Sequence, residues 1–157
     1  MKIERIIFHK IELNCDLDLA FKMFTVNSLL ESWLPEKADV EPRVGGKYEL
    51  FWDPTNPDLN STIGCKITGI ELNKFISFDW KGPEQFHSFM NFADPLTHVV
   101  IFFFPSDNKN NTIVYLFHIG WRKSSEWEEA RNFFDKAWKK AFADLKQKLS
   151  EGVYINK

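Results

Sequence analysis

The chain has little to staple it, anchor it or arm it. Only two of its 157 residues are cysteine, Cys15 and Cys65, and they stand apart. The N-terminal MKIERIIFHK carries charges every few residues and lacks the unbroken apolar stretch of a signal peptide. A reduced thiol pair in the cytoplasm is therefore expected rather than a disulfide, and the sequons at Asn60 and Asn110 are expected to stay unmodified. No run approaches the roughly 20 apolar residues of a membrane span. Neither sign of charge is in excess: 20 Lys and Arg face 22 Asp and Glu, formally −2. That balance supplies no field for nucleic acid or an anionic membrane. P-loop, GxGxxG, GxSxG, CxxC and HExxH motifs are all missing, and His9, His87, His98 and His118 lack metal-ligand spacing. No metal or cofactor is expected.

Aromatics are abundant: 16 Phe and 6 Trp. Each such ring buries roughly 150–250 Å². One domain, spanning 1–157, can bury a core at this length without staples, but it cannot hide every ring. Some should line a pocket or an interface.

The order of elements follows from periodicity. Ile3–Leu13 alternates as a first strand, and Asp16 is placed to cap a short helix over LDLAFKMFT. Asn27 restarts the chain into NSLLESWL, a second short helix ending at Pro35. In EPRVGGKYELFW a Pro and a Gly pair open directly into an alternating strand, with Tyr48, Leu50 and Trp52 on one face. Strands are expected near Ala38–Val40, Lys47–Trp52, Thr62–Leu72, Phe75–Trp80, His98–Phe104 and Thr112–Trp121, with DNKNN as a hairpin turn between the last two. Ser125 with Glu128 reads as a capping box. Beyond it Trp127, Phe134, Trp138, Ala141, Leu145 and Leu149 form one helical stripe, ending near Gly152. Consecutive, turn-linked strands followed by one long amphipathic helix predict an α+β fold: a curved antiparallel sheet wrapped around the last helix.

Several segments resemble the START-like, or SRPBCC, superfamily, and within it the group related to the C-terminal domain of the heat-shock-protein-90 ATPase activator. They are LAFKMFT with NSLLESWL, VEPRVGGKYEL, Ile76–Trp80, LTHVVIFF and LFHIGW, in that order. The resemblance implies a helix-grip fold with a cavity between sheet and long helix, used across the superfamily for apolar ligands. The eukaryotic activator has a further N-terminal domain that contributes chaperone binding. With no room for it in 157 residues, stimulation of a chaperone ATPase by this chain alone is not expected. Gly82–Pro95 is longer and more aromatic than a plain hairpin and suggests a lid or wall at the cavity mouth.

Trp33, Tyr48, Trp52, Phe78, Trp80 and Trp138 are candidate pocket walls, closed by Phe86 and Phe89; plain core packing is the competing reading for each ring. His118 shares a strand face with Val114 and Leu116. It is either a polar anchor for a ligand or a core imidazole satisfied internally. Arg43 and Glu84 stand at the mouth or are solvated rim charges. No catalytic residue stands out, although His118 with Glu84 or His87 would make an acid–base pair if the fold joined them.

On the opposite sheet face Val100, Phe102, Phe104, Ile113, Tyr115, Phe117 and Ile119 point outward, where a solvated sheet should be polar. Such a patch predicts an interface, here a homodimer, unless a bulge shifts the register or the tail VYINK covers it. The expected function is binding of a small hydrophobic ligand. The alternatives are a chaperone-associated interaction module and a cyclase- or dehydratase-like enzyme.

Overall fold

The computed structural model describes residues 5–108 and 110–152. Strand β1 (Ile7–Leu13) leads into helices α1 (Leu17–Thr25) and α2 (Asn27–Glu31), then strands β2 (Lys37–Val40), β3 (Tyr48–Phe51), β4 (Ile67–Glu71) and β5 (Phe75–Trp80). A 3₁₀ turn (Glu84–Phe86) and helix α3 (His87–Met90) precede β6 (Thr97–Pro105), β7 (Thr112–Ile119) and the long helix α4 (Ser125–Ser150). Five strands form an antiparallel sheet in the order β1-β7-β6-β5-β4, and β2 and β3 form a two-stranded one. The expected α+β fold, with a long C-terminal helix against an antiparallel sheet, is what the chain adopts. Residues 3 and 4 of the anticipated first strand, Lys109 of the anticipated turn and the tail VYINK lie outside the described residues.

Helix α4 buries Ala130, Phe134, Trp138, Phe142 and Leu145, one stripe at helical spacing. Phe142 replaces Ala141 on the core side of the anticipated stripe. The cap also moves by one residue. Ser124, not Ser125, is the N-cap and accepts a hydrogen bond from the Trp127 amide. Glu128 is thereby left outside a capping box. Its carboxylate instead accepts from Arg131 one turn on and from Arg5 before β1, and these bonds hold its pKa below the usual range.

The expected strand Thr62–Leu72 is cut to Ile67–Glu71, and Thr62 shows why. Its hydroxyl donates to the Tyr48 carbonyl (2.9 Å) and accepts from the Leu50 amide (2.8 Å), doing with a side chain what a ladder does with backbone. Residues 60–67 therefore run beside β3 as an irregular seam, joined by Thr62 N–H to Leu50 O and Tyr48 N–H to Cys65 O. Gly46 is pinned in the same seam: a Cβ there would lie 2.2 Å from the Glu41 carbonyl oxygen.

Two aromatic tips close the C-terminus of α1, whose last carbonyls have no partner within the helix. Trp33 Nε1 donates to Met23 O (2.9 Å) and the Tyr48 hydroxyl to Phe24 O (2.8 Å). Along the outer edge of β2, Asn27 Oδ1 accepts from the Val40 amide and Glu31 Oε2 from the Ala38 amide, each at 2.8 Å. Four residues of helix rise about 6 Å and two residues of strand about 6.6 Å, so side chains i and i+4 of α2 match amides j and j+2 of β2.

Thr62→Val keeps the shape but orphans a buried amide and a buried carbonyl. Urea unfolding should show a loss of about 2–3 kcal/mol; a loss below about 0.5 kcal/mol would show that the seam does not depend on the hydroxyl.

Candidate functional site

A cleft of about 490 Å³ opens between the end of β5 and the middle of α4. Trp33 and Leu34 enter it from the chain after α2, Trp52 and Asp53 from just past β3, and Asn60 and Ser61 from the seam. Trp80, Lys81, Gly82 and Pro83 come from the end of β5, and Phe133, Phe134, Ala137, Trp138 and Ala141 from α4, with Lys140 and Asp144 at the rim. The space exists because α4 presents alanine at 137 and again four residues on, one turn apart on the same face. Rings surround it. Trp80 meets Trp52 edge-on at 6.0 Å and Trp138 at 5.2 Å.

The candidate wall residues divide. Trp33, Trp52, Trp80 and Trp138 line the cleft. Trp52 is 41% exposed and stands at the rim, not in the core with Tyr48 and Leu50, because β3 stops at Phe51. Tyr48 and Phe78 lie in the core, stacked at 3.8 Å, and burial pushes the Tyr48 hydroxyl's pKa up. Phe86 packs on Phe133 and Phe89 on Trp127, so their segment covers the first half of α4 and reaches the cleft only through Gly82 and Pro83. Arg43 pairs with Glu41, and the Glu84 amide donates to Asn60 Oδ1; neither Arg43 nor Glu84 lines the cleft.

His118 lies behind the cleft wall, fully buried. Trp138 Nε1 donates to its Nδ1 (3.1 Å), which leaves the proton on Nε2 to donate to Thr97 Oγ1 (3.0 Å). The Thr97 hydroxyl in turn donates to the Trp80 carbonyl (3.4 Å). Both ring nitrogens are thus occupied by the protein itself, and neither Glu84 nor His87 is a partner. Burial, with a smaller push from His98, lowers its pKa from 6.5 to about 3. A neutral imidazole satisfied on both sides positions Trp138. It offers a ligand nothing.

Sequence reasoning passed over Leu34, Phe133, Ala137 and Ala141. The signal that marks the alanines is small residues at i and i+4 flanking the buried stripe of an aromatic-rich helix.

The family described as activator of Hsp90 ATPase homolog 1-like protein matches residues 14–150. Among solved structures, a protein of Mesorhizobium loti is similar at 20% identity, TM-score 0.72, over 95% of this chain and 99% of its own. The Aha1 dimer from Colwellia psychrerythraea is similar at 17% identity, TM-score 0.71, over 95% and 98%. An HSP90 activator from Plasmodium falciparum is similar at 21% identity, TM-score 0.66, over 92% and 96%. At these identities the likeness establishes the fold. No curated protein matches the chain.

The buried imidazole sets a pH dependence. Unfolded, His118 takes up a proton near pH 6.5; folded, it resists until about pH 3. The unfolded state therefore binds more protons across that window, and stability falls as pH falls through it. Between pH 7 and pH 5 this amounts to about 2 kcal/mol. Urea unfolding at both pH values should show wild type losing about that much more than His118→Gln, which cannot ionise. Equal losses would refute the assignment.

Proposed function

Because the chain belongs to the family of activator of Hsp90 ATPase homolog 1-like proteins, whose fold it has, we propose that it is an SRPBCC-type binding domain, 1–157, that encloses a small apolar ligand between β5 and α4. The observation that carries this reading is the cleft itself, about 490 Å³ walled by Trp33, Trp52, Trp80 and Trp138, a size and lining suited to a small molecule. The mechanism is enclosure: aromatic surface leaves water on both sides when a ligand enters. Two free, buried thiols, Cys15 and Cys65, each with its pKa pushed up to about 12 by burial, support a reducing, cytoplasmic setting. Among the described residues no helix is long and apolar enough to cross a membrane.

The outer sheet face supports self-association. Val100, Phe102, Ile113, Tyr115, Phe117 and Ile119 are half-buried and Phe104 is 49% exposed. Phe8 adds to them, with its ring 5.0 Å from Phe117 and 6.0 Å from Tyr115. This is a continuous apolar surface of the kind that marks an interface, and a structural relative is described as a dimer. We read it as the face of a two-fold homodimer. A chaperone-associated role is the second reading, favoured by the structural relative described as an HSP90 activator. Stimulation of a heat-shock-protein-90 homologue's ATPase by the full chain would select it over ligand enclosure.

Native mass spectrometry of protein from its own source should show a bound small molecule, and Ala137→Leu with Ala141→Leu, which fill the cleft, should remove it. Persistent ligand in the filled variant would place binding elsewhere. Sedimentation velocity should show a dimer that Phe102→Lys with Phe117→Lys converts to monomer; a wild-type monomer at all concentrations would dismiss the interface.

A further inference from the structure

The two ends of the cleft are bounded differently. Toward the C-terminus of α4 the boundary is Trp33 and Leu34, which line both the cleft and a neighbouring hollow. That end is fixed. Trp33 is buried and tied by its indole to Met23 O, and Asp144 beside it pairs with Lys140. Toward the N-terminus of α4 the boundary is Phe133. It lines both the cleft and a second hollow of about 600 Å³, between the first half of α4 and the turn at Gln85 and Phe86. Phe133 stands outside the buried stripe of α4 and is 38% exposed. Its ring meets Phe86 edge-on at 5.3 Å and Phe134 at 5.1 Å, contacts without a hydrogen bond to fix them.

The compartments on either side of this ring differ in chemistry. The cleft is walled by indoles. Beyond Phe133 the lining turns polar, with Gln85, Ser125, Glu128, Glu129, Asn132 and Lys136 beside Phe86. Glu128 is held by Arg5 and Arg131. The other five polar residues are exposed, so their groups are open to water and to whatever replaces it. An apolar occupant would strip that water and return nothing, whereas a hydrogen-bonding one replaces it in kind. Glu129 and Lys136 oppose each other in sign, so neither an anion nor a cation is favoured.

Resting on the reading of the cleft as a ligand site, we infer that Phe133 determines its specificity, as a gate between an apolar and a polar compartment. The occupant is elongated. Its apolar body lies among the indoles, and a neutral tail of hydroxyl, ether or amide groups passes Phe133 toward Gln85 and Asn132. A helical phenylalanine has two accessible χ1 settings, and exposed side chains exchange between settings within nanoseconds. The passage therefore opens without disturbing the buried stripe.

The test uses the full chain and two probes with a common body, 2-ethylnaphthalene and the 2-naphthyl ether of tri(ethylene glycol). In wild type, the side-chain amide resonances of Gln85 and Asn132 should shift with the tailed probe and not with the short one. By calorimetry, Phe133→Ala should favour the tailed probe over the short one about fivefold more than wild type does, the worth of the aromatic contact the tail no longer displaces. Phe133→Trp, which narrows the passage, should move that ratio the other way. The amide readout needs no variant and stands even if one fails to fold. A ratio unchanged by both substitutions, or amides indifferent to the tail, overturns the gate and leaves binding in the cleft intact. If neither probe binds wild type, the ligand-site reading falls and this inference with it.

Discussion

One hydrogen-bonded chain holds the two halves of the molecule in register. It runs from the Trp138 indole on α4 through His118 on β7 and Thr97 on β6 to the Trp80 carbonyl on β5. Apolar packing alone allows a long helix to slide or rotate on a sheet with little penalty, because burial is non-directional. A buried donor facing one buried acceptor does not. Displacing α4 by one residue would strand the indole N–H and the imidazole Nδ1 together, both buried away from water. The width of the cleft follows from that constraint, since Trp80 and Trp138 are also two of its walls.

The aromatic excess separates into groups with different physical duties. Trp33 and Tyr48 contribute their polar tips as much as their rings, closing carbonyls at the end of α1 that the helix leaves open. Trp80, Trp138 and Trp52 face an empty volume that small residues on α4 maintain. Phe8, Phe102, Tyr115 and Phe117 pack sideways on one another across the outer sheet face. Composition revealed the excess but not the division, because the division depends on where single N–H and O–H groups find partners.

What could be read from residues alone was what short-range physics controls. The order of elements, the Asp16 cap with its bond to the Leu19 amide, the bounds of β5 and the inward parity of His118 all follow from local pattern. The failures were long-range. Ser124 and Ser125 are equivalent as caps until Arg5, more than a hundred residues away, draws Glu128 to itself. Thr62 looked like the start of a strand because its hydroxyl's substitution for backbone is invisible without β3 beside it. His118 stayed open between ligand anchor and internally satisfied core imidazole because Trp138, its internal partner, comes from a distant helix.

The matched spacing of α2 and β2 bears on a hazard that folding stability does not measure. A sheet edge with free amides is a template on which a second chain can lay a strand, the first step toward cross-β fibres. Here the outward amides of Ala38 and Val40 are already occupied by Glu31 and Asn27. The amides of this edge are silenced by helix side chains rather than by a proline or a bulge within the strand. Any drift at positions 27 or 31 would therefore show itself first as a tendency to fibrillate, before the folded state weakens noticeably.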